Sequence, residues 1–287
     1  MIGRPAIEPH ALARSNAKPV EIHVLDLPRV SPVDQRQCAG PFDVIGDVHG
    51  CAGELEELLG ALNYRPDAGG TWRSRTGRIA VFVGDFVDRG PRIVDTVMLV
   101  RDMVRTGAAL AVPGNHDIQL ARFLRGEPVR VEHGLQSSLD ALEASPPHVS
   151  VEVEQFLSSL PGHVVLDHGQ LVVAHTGLGA ERHLDPSDET YRTAVYGVAD
   201  GAMDPFDVFK RHPWLRGYGG PASVVYGHTA SAEAVWQGPT IDIDTGCVFG
   251  GRLTALRWPE RTLNSVDARA MYVQPSRPLA AAVPAWS

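Results

Sequence analysis

Side chains that can bind metal ions recur in short motifs along the middle of this sequence, most of them flanked by glycine. In chain order the motifs are Asp47-Val48-His49, Gly84-Asp85-Phe86-Val87-Asp88-Arg89-Gly90, Gly114-Asn115-His116-Asp117, Ala174-His175-Thr176 and Gly227-His228-Thr229. Their carboxylate, amide and imidazole groups are enough to bind two adjacent divalent cations. Two such ions can activate a water molecule for in-line attack and clamp the phosphoryl group that it attacks. The motifs therefore predict hydrolysis of a phosphomonoester or a phosphoanhydride.

The types of ligand narrow the choice of metal. Asp85 is the best candidate for a bridge, because a carboxylate has two oxygens and can give one to each cation. Asn115 offers a neutral oxygen, while His175 and His228 offer imidazole nitrogens. A mixed nitrogen and oxygen set suits Mn²⁺, Fe, Zn²⁺ or Ni²⁺ better than Ca²⁺. The predicted cofactors are two divalent metal ions, with manganese as the first expectation.

A single motif of this kind is weak evidence. An Asp-x-His sequence after a strand occurs often by chance, and it is then a turn residue beside a histidine with ordinary partners. The ordered set is stronger evidence, because each of its motifs stands where an apolar run stops.

The elements that must position these residues alternate between short strands and helices. The strand-like runs are Phe42–Ile45, Ile79–Val83, Ala108–Val112, Leu171–Ala174, Val224–Tyr226, Ile241–Ile243 and Leu253–Trp258. Short apolar runs bounded by Gly and Pro suit strands that are buried on both faces. Apolar residues recur at helical spacing in three sets. These sets are Leu55, Leu58, Leu59 and Leu62; Ile93, Val97 and Val100; and Leu135, Leu139 and Leu142. A fourth helix is expected at Glu152–Leu160. The pattern predicts an α/β fold with ligands at strand ends, where open α/β sheets usually bind them.

The chain divides into three predicted segments. Residues 1–40 have no sustained period and are expected to form a poorly ordered arm. Residues 41–264 hold the motifs and form the catalytic domain. Within it, residues 177–221 read as a loop-like insertion beside the site, which we assign to substrate choice. Residues 265–287 are rich in Ala and Pro and are expected to form a loose tail.

Composition excludes several classes of protein. The formal net charge of −8 gives no general attraction to nucleic acid or to anionic membranes, so no stable nucleic-acid complex is expected. No run approaches the ~18 apolar residues that would span a membrane. The three cysteines have no C-x-x-C spacing, which argues against a disulfide framework or a zinc–thiolate site. A soluble protein in the cytoplasm fits these features best.

The ordered motifs resemble those of the calcineurin-like metallophosphoesterases, over about residues 41 to 260. The family pattern runs Asp-x-His, Gly-Asp-x-x-Asp-Arg-Gly, Gly-Asn-His-Asp/Glu, His and Gly-His. This resemblance implies a four-layer αββα sandwich, in which two mixed β-sheets stack and helices cover both outer faces. It also implies a ligand set: Asp47, His49 and Asp85 for the first metal, and Asp85, Asn115, His175 and His228 for the second.

One departure from the pattern identifies a branch of the family. Many members end in Gly-His-x-His, whose last histidine binds the first metal, whereas this chain has Gly227-His228-Thr229-Ala230. The chain therefore resembles the phosphoprotein-phosphatase branch, in which water fills that position.

The resemblance assigns His116, Asp88 and Arg89 to catalysis. An imidazole can protonate the leaving oxygen as a general acid if a carboxylate fixes its tautomer, and by resemblance Asp88 is that carboxylate. Arg89 is expected to clamp two phosphate oxygens with its forked donors. The alternatives are that Arg89 forms a surface ion pair and that Asp88 caps its own loop.

Asp244 has two readings. In the run Ile241-Asp242-Ile243-Asp244-Thr245-Gly246, it can belong to a turn that follows a strand. It can also point at the floor of the site and contact substrate.

Two stretches look like the phosphatase domain of bacterial polynucleotide kinase–phosphatases and the symmetrical dinucleoside tetraphosphatases. They are Val112–Gly126, followed later by His133-Gly134-Leu135, and Asp244–Leu256. The sequence lacks the G-x-x-x-x-G-K-[ST] loop of the kinase half. The expected substrate is a nucleotide, a dinucleoside polyphosphate or a nucleic acid terminus. A protein serine/threonine phosphatase is an alternative, although Pro113 stands where those enzymes have Arg. A non-enzymatic metal-binding scaffold is a second alternative, and the complete set of expected residues argues against it.

Overall fold

A computed structural model describes residues 33–197, 213–215, 217–276, 278 and 279. The strands of this part of the chain are β1 (Phe42–Ile45), β2 (Tyr64–Pro66), β3 (Trp72–Ser74), β4 (Ile79–Phe82), β5 (Ala109–Ala111), β6 (His163–Leu166), β7 (Leu171–Ala174), β8 (Ser223–Tyr226), β9 (Trp236–Gln237), β10 (Thr240–Asp242), β11 (Arg252–Trp258) and β12 (Thr262–Asp267). The α-helices are α1 (Ala52–Ala61), α2 (Ile93–Arg105), α3 (Asn115–Leu124), α4 (Leu135–Glu143), α5 (Pro147–Ser158) and α6 (Asp188–Tyr196).

Two mixed five-stranded sheets form the centre of the fold. The first sheet has the order β12-β11-β1-β4-β5, and β1, β4 and β5 run parallel to one another. The second has the order β6-β7-β8-β10-β9, and β7, β8 and β10 are parallel. Strands β2 and β3 form a separate small hairpin. The predicted α/β fold with two large mixed sheets is thereby confirmed.

Alternation along the strands builds three layers of core. In β1, Val44 belongs to the apolar cluster between the sheets, whereas its neighbour Ile45 joins the cluster beneath helices α1–α5. In β7, Val173 faces the first sheet and Val172 packs on the outer side with Trp214 and other residues. Successive strand residues point to opposite faces, so a strand that is buried on both faces has to be apolar throughout. This requirement explains why the short apolar runs mark strands so clearly.

The parallel strands determine where the polar motifs lie. The carboxyl ends of parallel strands meet at one edge of a sheet, so their following loops lie side by side. In this fold β1, β4 and β5 of the first sheet, and β7, β8 and β10 of the second, deliver their next residues to a common edge of the sandwich. All of the motifs named above follow one of these six strands.

The structure differs from the sequence predictions in three segments. The region 177–221 was expected to be loop-like, yet it contains α6, whose first turn is capped by Ser187 accepting from the backbone N–H of Thr190 at 3.2 Å. That prediction was wrong because α6 has too few apolar residues to show a helical period. Within the same region, residues 198–212 and 216 lie outside the described residues.

Parts of both predicted tails contact the central domain. Of the expected N-terminal arm, residues 1–32 lie outside the described residues, but Val33 and Gln35 bond to both backbone groups of Val165 at 2.9 Å and so extend the edge of β6. At the other end, β12 continues past residue 264. Beyond it, the backbone N–H of Arg269 and the hydroxyl of Tyr272 donate to Glu54 of α1, at 2.9 and 2.8 Å.

A buried ion pair fixes the end of the first sheet that is remote from the motifs. The guanidinium of Arg78 donates to Asp43 Oδ1 at 2.8 Å and to the backbone oxygens of Phe42 and Trp258, and the side chains of Arg78 and Asp43 are 5% and 0% exposed. Arg257 Nε and the Tyr64 hydroxyl also donate to Asp43, at 3.2 and 3.1 Å, but Arg78 makes the shortest contact and is the more buried of the two arginines.

We predict that Arg78→Met lowers the free energy of unfolding by about 3 to 5 kcal/mol, since it leaves a buried carboxylate without its main partner. The matched control is Arg92→Met, which removes an Arg side chain that is 43% exposed in its pairs with Glu56 and Asp95. That control should cost less than about 1 kcal/mol. Urea unfolding of both variants gives the comparison, and equal losses would contradict the prediction.

Candidate metal and phosphate site

Six segments bring the predicted site residues together at one edge of the sandwich, and one of them is the first turn of α3. Three segments follow strands of the first sheet and three follow strands of the second. In chain order they carry Asp47 and His49 after β1, Asp85, Asp88 and Arg89 after β4, Asn115 and His116 after β5, His175 after β7, His228 after β8, and Asp244 after β10.

Three of these side chains converge on one point. His175 Nε2 lies 3.1 Å from Asn115 Oδ1 and 3.1 Å from His228 Nδ1, and His228 Nδ1 lies 3.0 Å from the same Asn115 oxygen. The other nitrogen of His175, Nδ1, lies 3.0 Å from the carbonyl oxygen of Val83, which can only accept a hydrogen bond. Nδ1 must therefore carry the proton, and Nε2 of the neutral ring presents a lone pair.

The His175 ring is held in the neutral form. Burial lowers the pKa of His175, in opposition to the nearby carboxylate of Asp85. The Nε2 lone pair and the Asn115 oxygen are thus acceptors aimed at one another, an arrangement that a cation between them would stabilise.

A second group forms around His49. Its Nδ1 donates to the carbonyl oxygen of Val87 at 2.8 Å, so its Nε2 also presents a lone pair. That Nε2 lies 3.4 Å from Asp85 Oδ2, and ligand atoms of His49, Asp85 and His116 all lie within 4.8 Å of one another. Burial, followed by the charge of Arg89, lowers the pKa of His49 well below its ordinary value.

Asp85 belongs to both groups. It lies 3.6 Å from His175 Nε2, and ligand atoms of Asp85, His175 and His228 form a second set within 4.8 Å of one another. Burial would raise the pKa of Asp85, but the surrounding histidines lower it far below its ordinary value. This carboxylate is therefore ionised, and its position between two sets of imidazoles is suited to a shared ligand.

Asp47 completes the set from the first sheet. Its Oδ2 accepts from the backbone N–H of His228 at 3.1 Å, but its buried Oδ1 has no hydrogen-bond partner among the described residues. Burial raises the pKa of Asp47 well above its ordinary value, and the charges of Asp244 and Asp85 raise it further. A buried carboxylate oxygen with no donor, facing other carboxylates, fits a site for a cation.

Gly114 and Gly227, which flank two of the motifs, are glycines because there is no room for a side chain at either position. A Cβ at Gly114 would overlap Asp85 Oδ1, and a Cβ at Gly227 would overlap Asp47 Oδ1. Each glycine therefore lets the backbone lie directly against a carboxylate of the site.

A histidine and a carboxylate form a pair beside the metal-ligand groups. His116 Nδ1 lies 2.5 Å from Asp88 Oδ2, and both side chains are buried. Because the Arg89 guanidinium can only donate, His116 Nε2 accepts from it, and Nδ1 carries the proton that is donated to Asp88 Oδ2. Arg89 donates to His116 Nε2 at 2.8 Å and to His49 Nε2 at 2.7 Å, so its guanidinium lies between the two rings.

Asp244 belongs to a turn, as one of its two sequence interpretations expects, since its Oδ1 accepts from the backbone N–H of Gly246 at 3.0 Å. Burial raises the pKa of Asp244 to about 6; the hydrogen bond from Gly246 and the charge of Arg89 oppose this rise, and the charge of Asp85 adds to it. Its contact with substrate stays a prediction.

Comparison with known proteins identifies the family. The family model described as calcineurin-like phosphoesterase matches residues 40–240. This chain belongs to the calcineurin-like phosphoesterase family. The resemblance seen in the motifs is thereby confirmed, and the chain is a metal-dependent hydrolase.

Among relatives of this calcineurin-like phosphoesterase are proteins from Geobacillus sp. (strain WCH70) and Bacillus subtilis (strain 168). Both are named asymmetrical bis(5′-nucleosyl)-tetraphosphatase PrpE. The first is 39% identical over 237 residues, covering 81% of this chain and 96% of the relative. The second is 39% identical over 238 residues, with 80% and 96% covered. These relatives are named asymmetrical tetraphosphatases, whereas the sequence resemblance described above was to symmetrical dinucleoside tetraphosphatases.

Solved structures agree on the fold. One described as a diadenosine tetraphosphatase superposes with a TM-score of 0.60 at 28% identity, covering 83% of this chain and 98% of that one. A protein serine/threonine phosphatase from Saccharomyces cerevisiae has a TM-score of 0.54 at 14% identity, with 86% of each chain covered. At that identity the second likeness concerns the fold alone. No helix in the described ranges combines the length and the apolar character needed to cross a membrane.

The family and the two histidine–aspartate groups together indicate a dinuclear site for divalent metal ions. One detail differs from the predicted ligand set. The two groups of side chains whose ligand atoms lie within 4.8 Å of one another include His116, which was predicted to be an acid, and do not include Asp47. Asp47 nevertheless lies against the site through Gly227 and His228.

Three residues beside the site were missed by sequence reasoning. Asp117 accepts from the backbone N–H groups of Phe86 and Gly114, at 2.9 Å each, and so ties two motif loops together. Ser137 and Ser138 of α4 contact Arg89 and Asp88. Asp117 could have been found from its place in the Gly-Asn-His-Asp motif, but no sequence signal marks the serines.

The position of Asp85 in both groups yields a prediction. Asp85→Asn should reduce the number of bound metal ions and abolish turnover, because the amide loses the negative charge and one good donor oxygen. Elemental analysis of purified protein, alongside a phosphatase assay, measures both effects. The matched control is Asp95→Asn, an exposed aspartate of α2 that pairs with Arg92. Full metal content with normal activity in Asp85→Asn would rule out a bridging role.

Proposed function

We propose that this enzyme hydrolyses a bis(5′-nucleosyl) tetraphosphate into unequal products, a nucleoside triphosphate and a nucleoside monophosphate. The observation that carries the chemistry is the convergence of two sets of buried lone pairs on either side of Asp85. The choice of substrate is supported by relatives of that name, which are 39% identical over 96% of their own length.

The proposed ligand set is that of the sequence analysis. Asp47, His49 and Asp85 would hold the first metal; the second would be held by Asp85, Asn115, His175 and His228. When bound, the two ions supply an activated water and a clamp on the phosphoryl group. Manganese is our first choice, since the donors mix nitrogen and oxygen; iron, zinc or nickel would suit the same donors.

The remaining residues would act on the leaving group and on the phosphate. His116 would donate a proton from Nε2 to the leaving oxygen, while Asp88 holds its Nδ1–H and stabilises the imidazolium. Arg89 would bind two oxygens of the phosphoryl group with its forked donors. Its two terminal nitrogens, which donate to His49 Nε2 and His116 Nε2 in the structure, would turn from the rings to the phosphate, leaving His49 Nε2 for a metal and His116 Nε2 for the acid proton. Asp244 would point at the floor of the site and contact substrate.

Other candidate substrates are compared in the product analysis described below. The likeness to protein phosphatases is below 25% identity and supports the shared fold alone. A nucleic acid terminus has weaker support, because a net charge of −8 does not favour binding to a polyanion. We also place the enzyme in the cytoplasm, in keeping with its free cysteines at positions 38, 51 and 247, and cell fractionation tests that placement.

The test is product analysis. Purified enzyme with Mn²⁺ is incubated with diadenosine tetraphosphate, and the products are separated by anion-exchange chromatography. We expect ATP and AMP in equal amounts, whereas two molecules of ADP would indicate symmetrical cleavage. Parallel reactions contain 2′- and 3′-phosphorylated oligonucleotides and phosphopeptides. Faster turnover of either would contradict the proposed substrate without contradicting the chemistry.

Heavy-oxygen water then locates the attacked phosphorus. In-line attack on the outer phosphorus leaves ¹⁸O in AMP, whereas attack on the neighbouring phosphorus leaves it in ATP. Mass spectrometry of the two products distinguishes these routes. Label in neither product would contradict hydrolysis by water.

The proposed acid predicts a dependence on the leaving group. His116→Ala should leave both metals bound yet lower kcat by about 10²- to 10⁴-fold on a substrate with a poor leaving group, such as phenyl phosphate. The loss should be smaller on p-nitrophenyl phosphate, whose leaving group hardly needs a proton. Loss of metal in this variant would instead make His116 a ligand, in agreement with its closeness to His49 and Asp85.

The pairing of Asp88 with His116 predicts non-additive losses. Residues that act as one unit do not lose activity independently. Asp88→Asn should therefore reproduce much of the His116→Ala loss, and the double variant should be little worse than His116→Ala alone. Multiplicative losses in kcat would mean that the two residues act separately.

A further inference from the structure

The first turn of α4 places two neighbouring hydroxyl groups against the loop that carries Asp88 and Arg89. Ser138 Oγ accepts from the backbone N–H of Asp88 at 2.9 Å, and Ser137 Oγ accepts from the backbone N–H of Arg89 at 2.7 Å. Asp88 and Arg89 both have left-handed backbone conformations, with φ of 69° and 70°. Two consecutive non-glycine residues of this kind persist only where their surroundings hold them.

Ser138 makes a second contact, with the side chain of Asp88. Its hydroxyl donates to Asp88 Oδ1, while Asp88 Oδ2 accepts from His116 Nδ1 at 2.5 Å. Both carboxylate oxygens therefore have a donor, and Asp88 and Ser138 are fully buried. Since one hydroxyl can accept and donate at once, Ser138 fixes both the backbone and the carboxylate plane of the same residue.

We propose that Ser138 is a positioning residue for the acid, which orients Asp88 so that His116 Nε2 faces the leaving oxygen. This inference rests on the proposed function, because it assumes that His116 protonates that oxygen. Without the hydroxyl, Asp88 Oδ1 would be buried without a donor and the carboxylate could rotate away from the ring. Ser138 thus has a catalytic consequence although it does not touch substrate.

Ser137 supplies an internal comparison, because it holds the neighbouring residue. Its hydroxyl donates to the carbonyl oxygen of Gly134 at 2.7 Å and accepts from Arg89, so it steadies the phosphate clamp rather than the acid. The ring of Phe249 also lies 5.3 Å from the Arg89 guanidinium carbon. Loss of the Ser137 hydroxyl should therefore weaken phosphate binding and raise KM, whereas loss of the Ser138 hydroxyl should lower kcat.

The experiment compares Ser138→Ala with Ser137→Ala and with Ser145→Ala as the matched control. Ser145 lies just after α4, and its hydroxyl donates to the backbone oxygen of Ala141, away from the site residues. Each Mn²⁺-loaded protein is assayed on phenyl phosphate and on p-nitrophenyl phosphate. We expect Ser138→Ala to lower kcat on phenyl phosphate roughly tenfold or more, as the loss of supporting hydrogen bonds does at other sites. The loss should be smaller on p-nitrophenyl phosphate, and Ser145→Ala should match the wild type on both.

A second readout does not depend on activity. In protein loaded with diamagnetic Zn²⁺, the proton that His116 Nδ1 donates to Asp88 should give a strongly downfield ¹H resonance, assigned by its disappearance in His116→Ala. Ser138→Ala should shift or broaden that resonance, whereas Ser145→Ala should leave it in place. A resonance in Ser138→Ala identical to that of the wild type would overturn the inference.

Thermal unfolding verifies that each variant is folded. If Ser138→Ala does not fold, Ser138→Cys takes its place, because a thiol has a similar size but is a weak donor. A loss in kcat that is equal on the two substrates, in whichever Ser138 variant folds, would overturn the inference. So would a Ser138 substitution that multiplies with His116→Ala in the double variant.

These outcomes separate the inference from the proposed function. An inactive wild type, or a His116→Ala loss that is equal on the two substrates, contradicts the proposed chemistry and this inference with it. A His116→Ala loss that depends on the leaving group, next to a Ser138→Ala loss that does not, contradicts the inference alone.

Discussion

The structure depends on keeping several buried acceptors close together at one edge. Asp47, Asp85 and Asp244 share this edge with imidazole lone pairs, and burial raises the pKa of Asp47 well above its ordinary value. Such a concentration of negative charge and lone pairs is unfavourable in a protein interior unless cations balance it. In this site the negative charge is balanced by the guanidinium of Arg89 and by the divalent ions that the family and the ligand groups indicate. Metal binding is thus a condition of the site's electrostatics as well as the source of its chemistry.

The fold holds these acceptors in place with rigid strands and with residues that adopt unfavourable backbone conformations. His49, Asp85, Asp88, Arg89 and His228 all have φ between 43° and 76°, a left-handed conformation that costs about 1 to 3 kcal/mol per residue. Hydrogen bonds between loops hold these conformations. For example, the backbone N–H groups of Val48 and His49 both donate to the carbonyl oxygen of Asp85. The apolar layers of the two sheets supply the stability that offsets this strain.

Much of the fold and most of the candidate site could be predicted from local sequence. The strands Phe42–Ile45 and Leu171–Ala174 have the predicted bounds, because a strand buried on both faces has to be apolar throughout. The helix Asp188–Tyr196 was missed because few of its residues are buried, and its start depends on a single capping serine. Ser138 could not have been found at all. Its contact with Asp88 joins residues 50 positions apart, and it exists only because α4 packs against the loop after β4.

The site identifies the class of reaction more sharply than it identifies the substrate. Protein phosphatases at 14 to 16% identity share this fold, so stacked sheets of this kind serve substrates of very different size. Selection between them must come from residues that border the ligands without belonging to them. Phe249 lies over the guanidinium of Arg89, the proposed phosphate clamp. Pro113, which precedes the Gly-Asn-His motif, carries no charge. The chemistry is thus fixed by the strand ends and the substrate by the loops that border them, which is why a change of loop residues can change the substrate while the ligands stay the same.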